Sequence, residues 1–237
     1  LLPTPFPGKR CVTVLLMGAD DRKERGRSDT IMLMFLNPRR SQAALLSVPR
    51  DLRVQIPGHG LDKINHSYNY GGVELTKRTV EKVLDTEIDY YAKADFNGFV
   101  EIVDMLGGVD IEVPDVEGRG RGMNYDDNAD RLHIHLKPGM QHLDGEQAIG
   151  FVRYRKGDSD VERAERQQQF LKAMAKQKLK LRNMLKLAPV ASKALKCIDS
   201  NFSLRESMEL AMVLKDLSTD NLLTAAIPSR GWIGGGV

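Results

Sequence analysis

Cysteine is scarce in this chain. The two present, Cys11 and Cys197, form no CxxC motif, and they fit equally a single disulfide in an oxidising compartment or two buried thiols. Long apolar runs are missing as well: no segment approaches the ~20 residues needed to cross a bilayer. The absence of GxxxxGK[ST] argues against a P-loop nucleotide enzyme, and neither GxSxG nor HExxH occurs. No internal repeat or low-complexity linker divides the chain. Its basic stretch has neither a helix-turn-helix pattern nor an aromatic platform, which weakens a nucleic-acid-binding regulator as a reading.

What is there reads as an ordinary globular chain, 41% hydrophobic and 28% charged over 237 residues, with a net charge of +3. That length allows one large domain or two small ones, and it buries roughly 70% of the unfolded surface. The first residue is Leu1 rather than Met, so the chain reads as a fragment, and any signal or anchor upstream is out of view.

The pattern of residues predicts an α/β domain. Val12–Met17 and Thr30–Leu36 read as buried strands, and Ala43–Val48 as a third, antiparallel to the second. "VPRDLRVQIPG" reads as extended and irregular. "GGVELTKRTVEKVL" and "FNGFVEIVDMLGG" read as helices, "IDYYAKAD" and "VDIEV" as strands, and residues 114–132 as a Gly- and Asp-rich loop. "LHIHL" follows as a strand, then a turn, a short helix and a strand through "FVRYR". A long helix over 160–186, helices around 190–197 and 204–217, and a last strand "LLTAAIP" complete the chain.

Charge is concentrated at strand ends. "GADDRKERGRSDT" sets four carboxylates against three arginines and a lysine between two apolar runs. "SVPRDLRV" places Arg50 and Asp51 just past a strand. In "FVRYRKGDSDVERAERQQQF", Arg153 and Arg155 would alternate on a strand, and Arg163 and Arg166 would share a face at a helix start. From Phe151 to Lys186 there are 11 Lys and Arg against 4 Asp and Glu. Arginines at a helix N-terminus suit a phosphate, which guanidinium grips bidentately. Asp20 and Asp29, flanking a loop between adjacent strands, suit Mg²⁺, which binds one or two carboxylates and completes its shell with water and phosphates. His133 and His135 alternate in "HIH", a metal-like spacing without an evident third ligand, and are read as exposed strand histidines.

Taken in order, "GADDR", "RSDTIML", "SVPRD", "IPG", "KINHSYNYGG", "DFNGFVEIVDMLGGVDIEV", "LDGEQAIGFVRYR" and "DSDVERAERQQQF" resemble the LytR-CpsA-Psr family over most of the chain. The resemblance implies one catalytic domain over 10–237, with a central mixed, largely antiparallel sheet flanked by helices and an apolar slot for a polyprenyl chain. It implies an extracytoplasmic enzyme, held at the bacterial membrane by an N-terminal anchor. Such an enzyme is a phosphotransferase moving a glycopolymer from a polyprenyl-pyrophosphate carrier to a peptidoglycan hydroxyl, with Mg²⁺, or Mn²⁺ in its place, and without nucleic acid.

Carried over by position, Asp20 and Asp29 hold the metal. Arg27, Arg50, Arg153, Arg155, Arg163 and Gln167 surround the pyrophosphate, with Arg22 and Arg166 as neighbours, and Arg50, Arg153 and Arg155 serve catalysis. Asp51 and Asp160 are general-base candidates by residue type alone. Val80, Val83, Leu84, Phe99, Val103, Leu106, Phe170, Leu171, Met174 and Leu181 are candidates for the slot. A hydrolase that cleaves the pyrophosphate, as rival or side activity, shares the same site.

Overall fold

The first three apolar runs build a meander. In the computed structural model, which describes residues 6–19, 28–116, 118–127, 132–154, 160–178, 192, 194–215, 217 and 219–228, they are β1 (Val12–Ala19), β2 (Ser28–Asn37) and β3 (Gln42–Val48). A hairpin, β4 (Arg53–Ile56) with β5 (Gly60–Lys63), leads to α1 (His66–Leu84) and β6 (Tyr90–Ala94). Then come α2 (Phe96–Met105), β7 (Val109–Val113), β8 (Met123–Asp127), β9 (Leu132–Leu136), β10 (Gly139–Leu143), α3 (Gly145–Arg153) and α4 (Asp160–Lys178). β11 (Ile198–Ser200), α5 (Leu204–Lys215) and β12 (Leu222–Ala226) end the described chain.

The fold is a single α/β domain around a six-stranded sheet of order β11-β6-β1-β2-β3-β12. β1–β2, β2–β3 and β6–β11 pair antiparallel, whereas β1–β6 and β3–β12 pair parallel. The sheet is therefore mixed, as expected. Both faces are covered, which explains why β1 and β2 read as continuous apolar runs rather than alternating ones. On one face Leu15, Met17, Ile31 and Leu33 pack with Leu75 and Val80 of α1. On the other, Val12, Val14, Met34 and Leu36 pack with Phe202 and with Val213 of α5. A third cluster joins β7, β9 and β10 to α2, α3 and α4 through Val103, Ile111, Ile134, Leu143, Phe151 and Phe170.

Local chemistry sets the helices that matter for the site. Asp95 caps α2 by accepting the Gly98 N–H at 2.7 Å. Asp144 and Gln147 form a capping box at the start of α3. Gly145 lets α3 cross α2 closely, because a Cβ there would meet the Val100 carbonyl oxygen at 2.5 Å. α4 is clasped at both sides: Gln168 donates to Ser47 Oγ and to the Ala225 carbonyl, each at 2.8 Å. Gln177 accepts from the Asp110 N–H at 2.8 Å.

Several expectations change. "FVRYR" is not a strand: Phe151–Arg153 end α3, whose capping box and inward-facing Phe151 and Val152 favour a helix. Helix α1 starts at His66, before the glycine pair, and runs through it with non-helical angles at Gly71 and Gly72. The irregular stretch after β3 contains the β4–β5 hairpin, and the Gly/Asp-rich loop contains β8. The described part of α4 ends at Lys178; 179–191 lie outside the described residues. Cys11 and Cys197 are free thiols, the first exposed and the second partly buried. Among the described residues no helix is long and apolar enough to cross a membrane.

Candidate active site

A cavity of about 320 Å³ opens between the upper half of the sheet and helices α2, α3 and α4. Register defines its floor. The row at the mouth is Ile198, Ala94, Gly18 and Thr30; the next is Ala92, Leu16 and Met32. Small residues at Gly18, Ala92 and Ala94 leave room where larger ones would fill it. Tyr90, Val14 and Met34, one row deeper, belong to the packed core.

Each helix lends one stripe to the walls. From α2 come Phe96, Phe99 and Ile102, and from α3 Ile149, Val152 and Arg153. From α4 come Arg163 and Gln167 on the first turns, then Phe170 and Leu171. This last stripe turns from cationic to apolar over about 12 Å at 1.5 Å per residue. Phe99 and Phe170 meet with ring centroids 5.3 Å apart. The cavity thus has a polar end and an apolar depth.

The polar end holds Thr30, Asp95, Arg153, Arg163 and Gln167. The Arg153 guanidinium lies 3.8 Å over the Phe96 ring, a cation–π contact that fixes its plane. Arg163 is only 9% exposed. The α4 N-terminus faces the same end and favours an anion. Arg153, Arg163 and Gln167, predicted around a pyrophosphate, are therefore brought together at one cavity end.

Arg166 is not at that end. Its Nε donates to the Phe151 carbonyl at 2.8 Å and an Nη to the Tyr154 carbonyl at 2.7 Å. It satisfies the C-terminal carbonyls of α3, as cations at helix ends do, so the contacts described for it are with the fold rather than with the cavity end expected to hold the pyrophosphate.

Arg50 lies beyond the end of β3, with Nε 3.7 Å from Asp51 Oδ2, and is not among the described residues lining the cavity. Asp51 also pairs with Lys63 at 3.0 Å. Asp20, Arg22, Arg27 and Arg155 lie outside the described residues, as do the side chains of Asp29 and Asp160. The backbone at Asp29 is informative: Gly18 pairs with Thr30 and Ala19 with Ser28, so Asp29 is the extra residue of a β-bulge. Bulges re-aim side chains beside functional sites. Buried Ser28 spans it, its Oγ donating to the Thr30 carbonyl at 2.9 Å.

No group of three or more metal-ligating side chains occurs among the described residues. His133 and His135 are exposed, as expected, and both contact Asp126 on the neighbouring strand, at 2.7 and 3.4 Å.

Of the expected slot residues, Phe99, Phe170 and Leu171 line the cavity. Val80, Val83 and Leu84 pack under the opposite sheet face with α1. Val103 and Met174 belong to the helical core, and Leu181 lies outside the described residues. The floor residues Leu16, Met32, Ala92 and Ala94, and Phe96, Ile102, Ile149 and Val152 on the walls, were not foreseen. As strand or helix-face residues they have no sequence mark separating a cavity lining from a filled core.

Fold and cavity define a class: an α/β domain with a slot shaped for an amphiphile, anionic at one end and apolar along the other. The chain belongs to the LytR-CpsA-Psr family, whose sequence model matches residues 7–237. It is 34% identical over 219 residues to a Bacillus subtilis polyisoprenyl-teichoic acid–peptidoglycan teichoic acid transferase, TagT, covering 90% of this chain and 67% of TagT. With TagV of the same organism, which has the same activity name, it shares 32% over 230 residues, 92% of this chain but 57% of TagV. The crystal structure of B. subtilis TagV superposes with a TM-score of 0.81 at 32% identity, over 94% of this chain and 86% of that one. A TagT structure with bound octaprenyl pyrophosphate superposes at 0.73 with 29% identity, over 100% and 85%.

Proposed function

We propose that this protein transfers an anionic wall glycopolymer, of the teichoic acid kind, from a polyprenyl-pyrophosphate carrier to a peptidoglycan hydroxyl. One observation carries the reading: an apolar slot between sheet and helices ends on Arg153, Arg163 and Gln167. A polyprenyl pyrophosphate has that polarity, with a hydrocarbon tail joined to a doubly phosphorylated head. The tail gains roughly 0.8 kcal/mol for each CH₂ removed from water. The head meets fixed guanidinium groups at the helix N-terminus, where charge-assisted bonds are strong. The names of TagT and TagV, and the octaprenyl pyrophosphate in a TagT structure, support the same assignment.

Phosphoryl transfer rests on positioning and on stabilising charge that spreads over phosphate oxygens. Arg153 and Arg163 hold the head, and Gln167 adds a neutral donor. Arg50, Arg22, Arg27 and Arg155 are read from the family motifs into the same cationic set, the last three lying outside the described residues. A Mg²⁺ or Mn²⁺ ion would be held by Asp20 and Asp29, whose side chains lie outside the described residues, Asp29 being the bulged residue of β2. Bound there by hard carboxylate oxygens, it would neutralise phosphate charge.

The working place that follows is the outer face of the bacterial membrane, where carrier lipid and wall acceptor meet, with an anchor upstream. Water in place of the acceptor would give pyrophosphate hydrolysis as a side reaction. The deciding experiment supplies lipid-linked polymer and peptidoglycan oligomers to the protein. Polymer covalently attached to the oligomer supports transfer; free phosphorylated polymer alone would replace transferase by hydrolase.

A further inference from the structure

The segment that carries Arg50 past the end of β3 has a neighbouring group not yet given a part. His66 is the first residue of α1, and its Nδ1 lies 2.9 Å from Asp62 Oδ2 on β5. Tyr70 donates its hydroxyl to the same oxygen at 2.7 Å, and His59 stacks on the Tyr70 ring at 4.5 Å. The hydrogen bond from His66, then that from Tyr70, holds the Asp62 carboxyl down at about 2. An ionised carboxylate keeps the proton of a neutral imidazole on Nδ1 and leaves Nε2 with its lone pair.

Backbone bonds fix where this pair sits. Ile64 N–H donates to the Leu52 carbonyl at 2.8 Å, and Asn65 N–H to the Arg50 carbonyl at 3.1 Å. His66 is thereby lashed to the segment carrying Arg50. Val48 pairs with Ile31, so Arg50 leaves β3 at the sheet edge where β2 carries Asp29. Asn65, between Arg50 and His66 in this junction, is 5% exposed, and its Oδ1 accepts no hydrogen bond among the described residues. A buried carbonyl oxygen in that state awaits a donor. Beside the imidazole stand Asp62 and Tyr70, with His59 stacked on Tyr70; Arg50, Asp51 and Lys63 belong to the segments that the backbone bonds join here. Asp51, a base candidate by type, already pairs with Lys63.

We propose that His66, oriented by Asp62, is the general base that accepts the proton of the peptidoglycan hydroxyl, while Asn65 Oδ1 receives a second donor from the same acceptor. This rests on the transferase reading above. The hydroxyl proton moves to His66 Nε2, and the oxygen forms a bond to the phosphorus next to the glycopolymer. The bridging P–O bond breaks, and its electron pair leaves with polyprenyl phosphate. The imidazolium then returns its proton to solvent. General-base assistance contributes about 10²–10⁴-fold, and a loose phosphoryl-transfer transition state places this case near the low end.

The test measures kcat from pH 5 to 9 for the full chain with Mg²⁺, a lipid-linked saccharide and a peptidoglycan oligomer. Wild type should show a rising acid limb. His66→Ala should lose about a hundredfold in kcat and the limb with it, recover part of the rate with added imidazole, and keep its octaprenyl pyrophosphate affinity. Asp62→Asn, which keeps the imidazole but not the carboxylate that orients it, should lower kcat at unchanged octaprenyl pyrophosphate affinity. His66→Ala with wild-type kcat and limb would overturn the proposal, as would a slow variant with the limb intact and no imidazole rescue. If wild type itself attaches nothing to the acceptor, the transferase reading has failed rather than the assignment of His66.

Discussion

Arg153 and Arg166 show how the same residue type takes different work from its surroundings. The Arg153 plane lies on Phe96 at the polar end of the slot. Lysine keeps the charge but neither the plane nor the bidentate fork. Arg153→Lys should therefore lower transfer about ten- to a hundredfold, the worth of one charge-assisted bond, with unchanged stability. Wild-type turnover in that variant would reduce Arg153 to diffuse charge. Arg166 is spent on the fold, since it is 5% exposed and bonded to two carbonyls at the end of α3. Arg166→Met should cost about 2–4 kcal/mol of stability, because it leaves those carbonyls unsatisfied, and a urea titration would show it. A stable Arg166→Met that cannot bind the pyrophosphate would return Arg166 to the site.

Among the elements, helix α1 carries the clearest strain. Gly72 has φ 60° and ψ −152° inside the helix, a region open essentially to glycine alone. Space is not the obstacle, for nothing lies within 4 Å of a Cβ built there. Gly72→Ala should thus destabilise by about 1–3 kcal/mol through backbone alone, seen as a lower denaturation midpoint at unchanged slope; an unchanged midpoint would mean that the kink relaxes at no cost. The same helix shows where sequence reading runs short. "HSYNYGG" has a glycine pair that reads as a turn, so the helix was placed after it. The bonds fixing its true start, Ile64 to Leu52 and Asn65 to Arg50, are tertiary. "FVRYR" alternates like a strand, yet the capping box at Asp144 makes it the end of α3. By contrast β1, β2, β3, β6, β7 and α2 were legible, because burial on both faces or a capped amphipathic stripe leaves a local mark. The cationic end of the site was legible through Arg153, Arg163 and Gln167. Its apolar floor was not, since Leu16, Met32, Ala92 and Ala94 differ from core residues only by what fails to pack on them.

At the scale of the whole molecule, Tyr90 and Asp62 are two of the groups that make stability depend on pH. Burial, then the hydrogen bond to Glu206 at 2.7 Å, pushes the Tyr90 phenol from 10.0 up to about 12. Its folded-state value is raised, so its contribution is complete below pH 10 and lost as pH rises through 12. Asp62 runs the other way. Depressed from 3.8 to about 2, it contributes fully above its unfolded value and loses that contribution as pH falls through 2. Melting temperature should accordingly sag below pH 4 and above pH 10, and Tyr90→Phe should flatten the alkaline side. An alkaline fall identical in Tyr90→Phe would assign it to another group.

The slot joins these scales, since strand register sets its floor, three helix stripes its walls and two arginines its polar end. Calorimetry with a series of polyprenyl pyrophosphates of increasing chain length, with and without Mg²⁺, tests this arrangement most directly. Affinity should rise with each isoprene unit until the cavity is filled and then level off. Arg153→Lys should weaken every member by the same factor, because tail and head bind as separate terms. Affinity independent of chain length would contradict the account, leaving a surface anion site where a lipid slot is claimed.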